Sequence, residues 1–435
     1  MPIGAKQLLN PKALTKIQSI ILIAIIIVAA VGVVAIVLWD NPSQSSETIK
    51  IGVCADLDKP WAQEDYEGVK LAVEQINAEG GILGRHVEVF GEDDDGGFDP
   101  IITSTALNRL ITVDNVDFII GLPSLTKLEI IAQHKKIFIS TWGEEECEQQ
   151  VLDDYGKYKY YFACSPNSTS IRVRMINSLI NLRDATGFNK IGLLGLDGDW
   201  DRAHFEALEP SLSQKGIEVV YKNFFPLGTF EFSSYFAAAE AAGVETLLPM
   251  MTDEYIPFVK EYYDRQSPMF IFGGNLGALA RPSAWDYTDG KCEDVCGTGW
   301  AVGAGYPLTS KTLATIQAVI DKGFEAPLTA LGYDIVRFIL ADAIKRAGTI
   351  ETEAVIKALE ETSVETSNSK KFSFTESHAV MVGTDPNDPE ADYKIGMIFQ
   401  WQNGKLVPVD PIKIMEEAGA TYTFPDWPGP WDDLD

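Results

Sequence analysis

Positive charge is scarce in this chain. Against 63 Asp and Glu stand only 35 Lys and Arg, a formal net charge of −28 over 435 residues. Nucleic acid is bound through clustered basic surface, so it is excluded as a partner, and a polyanionic substrate equally. Histidine is scarcer still, at four, and cysteine stops at five. Cys292 and Cys296 share the acidic loop KCEDVCG. No histidine lies near it and no second cysteine pair completes four ligands, so a disulfide or plain thiols is the better reading than zinc. The sequence also lacks a G-x-S-x-G nucleophile elbow, a G-x-x-x-x-G-K phosphate loop and an H-E-x-x-H metal motif. The segment after the first strand reads ADLDKP and not the glycine fingerprint that admits a pyrophosphate. No cofactor is implied, and catalysis by this chain is not expected.

Long apolar runs are missing too, with one exception. Ile20 to Trp39 carries no charge, preceded by Lys6, Lys12 and Lys16 and followed by Asp40. Twenty residues at 1.5 Å each span a bilayer core. The reading is a transmembrane anchor at 17–39 that contacts membrane lipid, with residues 1–16 in the cytoplasm and a polar tether over 40–48. That makes a single-pass protein of the cell membrane, its binding domain outside the cytoplasm. A removed signal segment is the competing reading.

The remaining chain is built of short strands and helices in alternation. Ile49, Ile51 and Val53 form a strand, and Val69, Ala72, Val73 and Ile76 form one helical stripe. Gly80-Gly81 stops that helix, and Val87 and Val89 begin a second strand. Strand, helix, strand forces a right-handed crossover and a parallel sheet. Phe118–Ile120, Ile137–Ile139 and Tyr160–Ala163 continue it. A second run follows with strands at Lys190–Leu194, Ile217–Val220, Val244–Leu248 and Met269–Phe272. Helices are expected over Leu308–Gly323, Thr329–Ala347 and Glu353–Leu359, and strands over Lys371–Phe374, Lys394–Trp401 and Leu406–Val409, the last two joined by an Asn-Gly turn. The acidic run Glu92–Asp95 reads as a solvated strand end. The tail beyond Ala418, rich in Pro, aromatic and acidic residues, reads as loosely packed or mobile. Possible disulfides are Cys292 with Cys296 and Cys147 with Cys164, leaving Cys54 as a buried odd residue.

The segment EGVKLAVEQINAEGGILGRHVEVFGEDD resembles the opening of the leucine/isoleucine/valine-binding proteins, the type I periplasmic-binding family of ABC importers. Tyr333-Asp334-Ile335-Val336 and FQWQNGKLVPVDP are similar to later parts of that family. The resemblance covers about residues 48–410. It implies an α/β fold of two Rossmann-like lobes joined by a hinge. Lobe 1 is 49–165 with 304–376, lobe 2 is 166–303 with 377–418, and 419–435 is a tail. The crossovers fall near 163–167, 300–306 and 374–382. It further implies a receptor that captures a small solute in an interlobe cleft and presents it to a permease and its ATPase. A tethered sensor of the same fold is the alternative.

In that family the solute's α-carboxylate meets hydroxyls and backbone N–H groups of the first lobe, while a second-lobe carboxylate holds its ammonium. Carried onto this chain, the first-lobe positions are Trp61, Glu64, Ser124, Thr126, Thr141, Trp142 and Glu144. Those of the second lobe are Trp200, Met251, Thr252 and Asn275. The departures matter. Glu64 stands where an aromatic is common, Leu125 where a second serine is usual, Glu144 where a threonine is usual, and Asn275 where the ammonium-binding glutamate falls. If both glutamates face the cleft, a leucine-like solute in the usual orientation is disfavoured, and an amide, a polyol or a polyamine fits better. Glu144–Glu146 also reads as a solvated run. Trp142 and Trp200 read as cleft walls or as ordinary packing.

Overall fold

Strand β1, Ile49–Ala55, is apolar almost without a break because it is covered on both faces. It pairs in parallel with β2, Val87–Asp93, on one side and with β3, Phe118–Gly121, on the other. β4, Ile137–Ser140, and β5, Tyr161–Ala163, complete a five-stranded parallel sheet of order β2-β1-β3-β4-β5. The helix Pro60–Ala78 buries the expected stripe of Val69, Ala72, Val73 and Ile76. It stops where Gly81 takes φ +81; a Cβ there would lie 1.9 Å from the Arg85 carbonyl oxygen, so only glycine fits. The computed structural model describes residues 48–97, 99–251, 254–274, 277–299, 306–325, 328–383 and 396–434.

The second lobe repeats the plan. β6, Lys190–Leu196, lies between β7, Glu218–Phe225, and β8, Thr246–Met250, and β9, Phe270–Ile271, follows β8, all in parallel. In each lobe the first strand is flanked by the second and the third, the doubly wound pattern. An antiparallel sheet of β10, Cys296–Gly299, β11, Met397–Gln402, and β12, Lys405–Asp410, extends this lobe through a bridge from Phe272 to Cys296. The Asn403-Gly404 turn between β11 and β12 has positive φ at both residues, as a two-residue hairpin requires.

The chain returns to the first lobe for its later helices. Thr312–Asp321, the continuous helical run 328–347 and Thr352–Glu360 place Val319, Ile335, Ile344 and Leu359 in one core with Ile51 and Phe118. Val380 joins that core as well, four residues beyond the expected lobe boundary at 376. Phe374 bridges to Val380 across a turn, and Ala163 at the end of β5 donates its N–H to the His378 carbonyl at 2.9 Å. The segment 372–382 is therefore an edge of the first lobe.

Three expectations are corrected. The anchor at 17–39 and its flanks 1–16 and 40–47 lie outside the described residues. Among the described residues no helix is long and apolar enough to cross a membrane. Pro60–Ala78 and Ser168–Thr186 have 19 residues each, but both carry several charges. The single-pass placement in the cell membrane is withdrawn. The tail is not loose: Trp427 and Trp431 are buried against the second lobe's core, and Trp427 donates its indole N–H to the Ser267 carbonyl at 2.9 Å. Thr423 donates to the Gln400 side chain at 2.9 Å. Aromatic area and paired backbone outweigh the acidic and proline content that suggested mobility. Finally, all five cysteines are buried thiols, and neither the Cys292–Cys296 nor the Cys147–Cys164 pair is closed as a disulfide. Burial raises the Cys147 pKa to about 12 and that of Cys292 to about 11.

Candidate ligand-binding cleft

Because both large sheets are parallel, the carboxyl ends of their strands gather along one edge of each lobe, where open α/β sheets bind ligands. The loops after β1, β3 and β4 carry the expected first-lobe residues, and those after β6, β8 and β9 the second-lobe ones. Trp61 falls in the first turn of the helix Pro60–Ala78. Thr252 and Asn275 lie outside the described residues.

In the first lobe several expected ligand groups also make contacts within the fold. Ser124 is the N-cap of the helix Leu125–His134, its hydroxyl accepting from the Lys127 N–H at 3.3 Å. Thr126, half-buried, follows in the first turn. Thr141 is buried, donates its backbone N–H to the Gly121 carbonyl at 3.0 Å, and lines a water-sized cavity with Ala62 and Gly121. Trp142 is half-buried and crosses the gap to pack against the second lobe's core. Its backbone N–H donates to Ser140 Oγ at 3.2 Å. Glu144, also half-buried, precedes the helix Glu145–Asp153. Burial, with the charges of Glu146 and Glu145, raises its pKa.

The acidic run after β2 divides. Asp93 and Asp95 are solvated as expected, but Asp94 is fully buried and ion-paired with the equally buried Lys127. Lys127 also donates to the carbonyls of Leu122 at 2.7 Å and Cys54 at 3.2 Å. This network ties the end of β1 to the loops after β2 and β3. The sequence pattern hid it because Lys127 sits amid apolar helical residues.

On the second lobe, Trp200 is half-buried in the first turn of the helix Asp199–Gln214, its Nε1–H donating to Ser168 Oγ at 3.2 Å. Met251 is buried within that lobe's core. Sequence reasoning missed Arg281, which follows the Gly273-Gly274 loop after β9. Its guanidinium makes a bidentate pair with Glu64 of the first lobe, Nη1 to Oε1 at 2.6 Å and Nη2 to Oε2 at 2.8 Å. Two residues on, Ser283 Oγ donates to Glu325 Oε2 at 2.7 Å, a second contact to the first lobe. Burial raises the Glu64 pKa, against the lowering effect of Arg281. The available signal was the basic residue in ALARPS, a positive charge in an acidic chain, beside a loop that the fold brings to the cleft.

The first crossover is fastened to the helix Glu145–Asp153. Asn167 Nδ2 donates to Glu148 Oε2 at 2.6 Å, and the Thr169 N–H donates to Glu145 Oε1 at 2.5 Å. Gly143 allows this approach, since a Cβ there would lie 2.5 Å from the Asn167 nitrogen.

Residues 48–384 match the family described as periplasmic binding protein. A Leu/Ile/Val-binding protein homolog 7 from Brucella abortus (strain 2308) is 24% identical over 395 residues, covering 86% of this chain and 94% of that protein. A solved structure titled as a branched-chain amino acid ABC transporter, from Silicibacter pomeroyi, superposes with a TM-score of 0.75 at 17% identity, covering 88% of this chain and 100% of that one. A branched-chain amino acid substrate-binding protein from Streptococcus pneumoniae, in complex with isoleucine, superposes at 0.65 with 18% identity over 83% of this chain and 98% of its own. A solute-binding protein from R. palustris, in complex with benzoate, gives 0.66 with 14% identity over 83% and 95%.

Proposed function

The chain belongs to the periplasmic binding protein family, and on that premise we propose that it is the solute-binding receptor of an ABC importer. It captures a small polar solute, an amino acid, amide or related compound, between its lobes. The observation that carries this reading is the Glu64–Arg281 contact, which joins the carboxyl-end edges of the two lobes at one point. Trp142, reaching from the first lobe to the second, supports it as an apolar wall. The isoleucine and benzoate in related structures support a small organic solute.

A receptor of this kind makes and breaks no covalent bond. Its work is a change in the balance between open and closed lobes, set by how much better the solute binds the closed form. The closed form is what a permease with its ATPase would read. A thermal-shift screen of amino acids, amides, polyamines and sugars tests the proposal, since a ligand that binds only the folded state raises the melting point. At least one class is expected to raise it in a concentration-dependent way. A screen in which no solute shifts the midpoint at millimolar concentration overturns the reading.

A further inference from the structure

Glu64 and Arg281 reach the cleft from opposite lobes and meet through two parallel hydrogen bonds. We propose that this pair is the polar end of the solute site and that the solute is a zwitterion inserted between the two side chains, its carboxylate on Arg281 and its ammonium on Glu64. This inference rests on the reading of the cleft as a solute site.

The shape of the contact is the first argument. A guanidinium fork matches any planar two-oxygen group, and the Glu64 carboxylate occupies it as a solute carboxylate would. Exchange of one carboxylate for another conserves the hydrogen bonds of Arg281. It leaves Glu64 half-buried without its cation, and an ammonium attached to the same solute restores one.

The second argument is what the first lobe withholds. The Thr141 backbone N–H, a donor that could cradle a carboxylate there, is committed to the Gly121 carbonyl at 3.0 Å. At the contact the first lobe presents the half-buried carboxylate of Glu64. A solute carboxylate is repelled from that wall, and an ammonium is drawn to it. On the opposite wall Arg281 supplies the complementary charge. The solute therefore lies with its charges reversed relative to the orientation that the family resemblance implies. The Ser283–Glu325 contact flanks the pair as a second link between the lobes.

The test is isothermal titration of the wild type, E64Q, R281Q and R281K with each common α-amino acid, its amide and its N-acetyl derivative. Melting curves without solute establish that each variant is folded. In the wild type, blocking either charge of the preferred amino acid is expected to weaken binding about 30-fold or more, the loss when one partner of a desolvated charge pair is removed. R281Q is expected to lose amino acid affinity by a similar factor and to bind the amide nearly as the wild type does. E64Q should show the same pattern toward the N-acetyl derivative, and R281K should recover part of the loss. The inference is overturned if R281Q and E64Q bind the amino acid within about threefold of wild type. Tighter binding by either overturns it too, because the pair is then a latch that the solute must open without touching. If the wild type binds only uncharged solutes, the zwitterion is wrong while the receptor reading stands. If it binds none of these compounds, the zwitterion is wrong, and the receptor reading falls only if the wider screen with polyamines and sugars is empty as well.

Discussion

Lys127 and Asp94 form an ion pair from which water is excluded, their side chains 1% and 0% exposed. They join the helix after β3 to the loop after β2. Two carbonyls complete the coordination of the ammonium, and the Gly96 N–H donates to Asp94 Oδ1 at 3.1 Å. A buried charge that loses its partner is strongly destabilising, so K127M is expected to cost about 3–5 kcal/mol in urea unfolding. The double variant K127M/D94L should recover a large part of that loss, because an apolar pair leaves no orphaned charge. A K127M loss below about 1 kcal/mol would show that the loops are held by other contacts.

Trp427 gives a test of the tail. Its ring packs edge-on to Tyr262 and Tyr263, with centroids 5.5 and 5.6 Å away. W427A is expected to destabilise the protein by about 3–5 kcal/mol, the range for emptying an aromatic site in a core. A mobile tail would confine the change to within about 0.5 kcal/mol. Chemical denaturation distinguishes the two.

Glu148 sits at the first crossover with its pKa raised from 4.5 to about 7, chiefly by burial and despite the hydrogen bond from Asn167. Between those two values the folded protein holds a proton that the unfolded chain has released. Stability therefore falls as pH rises from about 4.5 to about 7, and the full penalty, roughly 3 kcal/mol, is present above that range. Glutamine at 148 mimics the protonated acid and keeps an acceptor for Asn167. E148Q is expected to raise the melting point at pH 8 and to leave it nearly unchanged at pH 4.5. An equal shift at both pH values would mean that titration of Glu148 is not the cause.

The first-lobe frame was legible because its signals are local. The stripe from Val69 to Ile76 and the Gly80-Gly81 stop depend only on residues a few positions apart, and the same holds for the Asn403-Gly404 turn. The helix Glu145–Asp153 was hidden in a glutamate run, where charge suggested solvent, although Cys147 and Val151 carry its buried face. The site was less legible for a different reason. Glu64 was named on the strength of its position, but its partner stands 217 residues away and no periodicity links the two. Ser124 was named as a ligand group, and its hydroxyl caps a helix, a role that the same residue type and position also predict. Local pattern places a side chain on an edge, whereas its partner is set by the lobe across the cleft.

The cysteines offer a count. Cys54, Cys147, Cys164, Cys292 and Cys296 are all buried thiols. Burial pushes the Cys54 thiol up, with the nearby Asp94 carboxylate adding to the shift, and it raises Cys296 well above the usual range. Reaction with a disulfide reagent requires both access and a thiolate, so the native protein should titrate no thiol at pH 8 on the timescale of minutes. After unfolding in guanidinium under non-reducing conditions, all five should react. A closed Cys292–Cys296 bridge would remove two of them and leave three, and a second bridge between Cys147 and Cys164 would leave only Cys54. Three or one would restore the disulfides that the sequence suggested; five establishes that the loop around residue 292 is held by packing and hydrogen bonds.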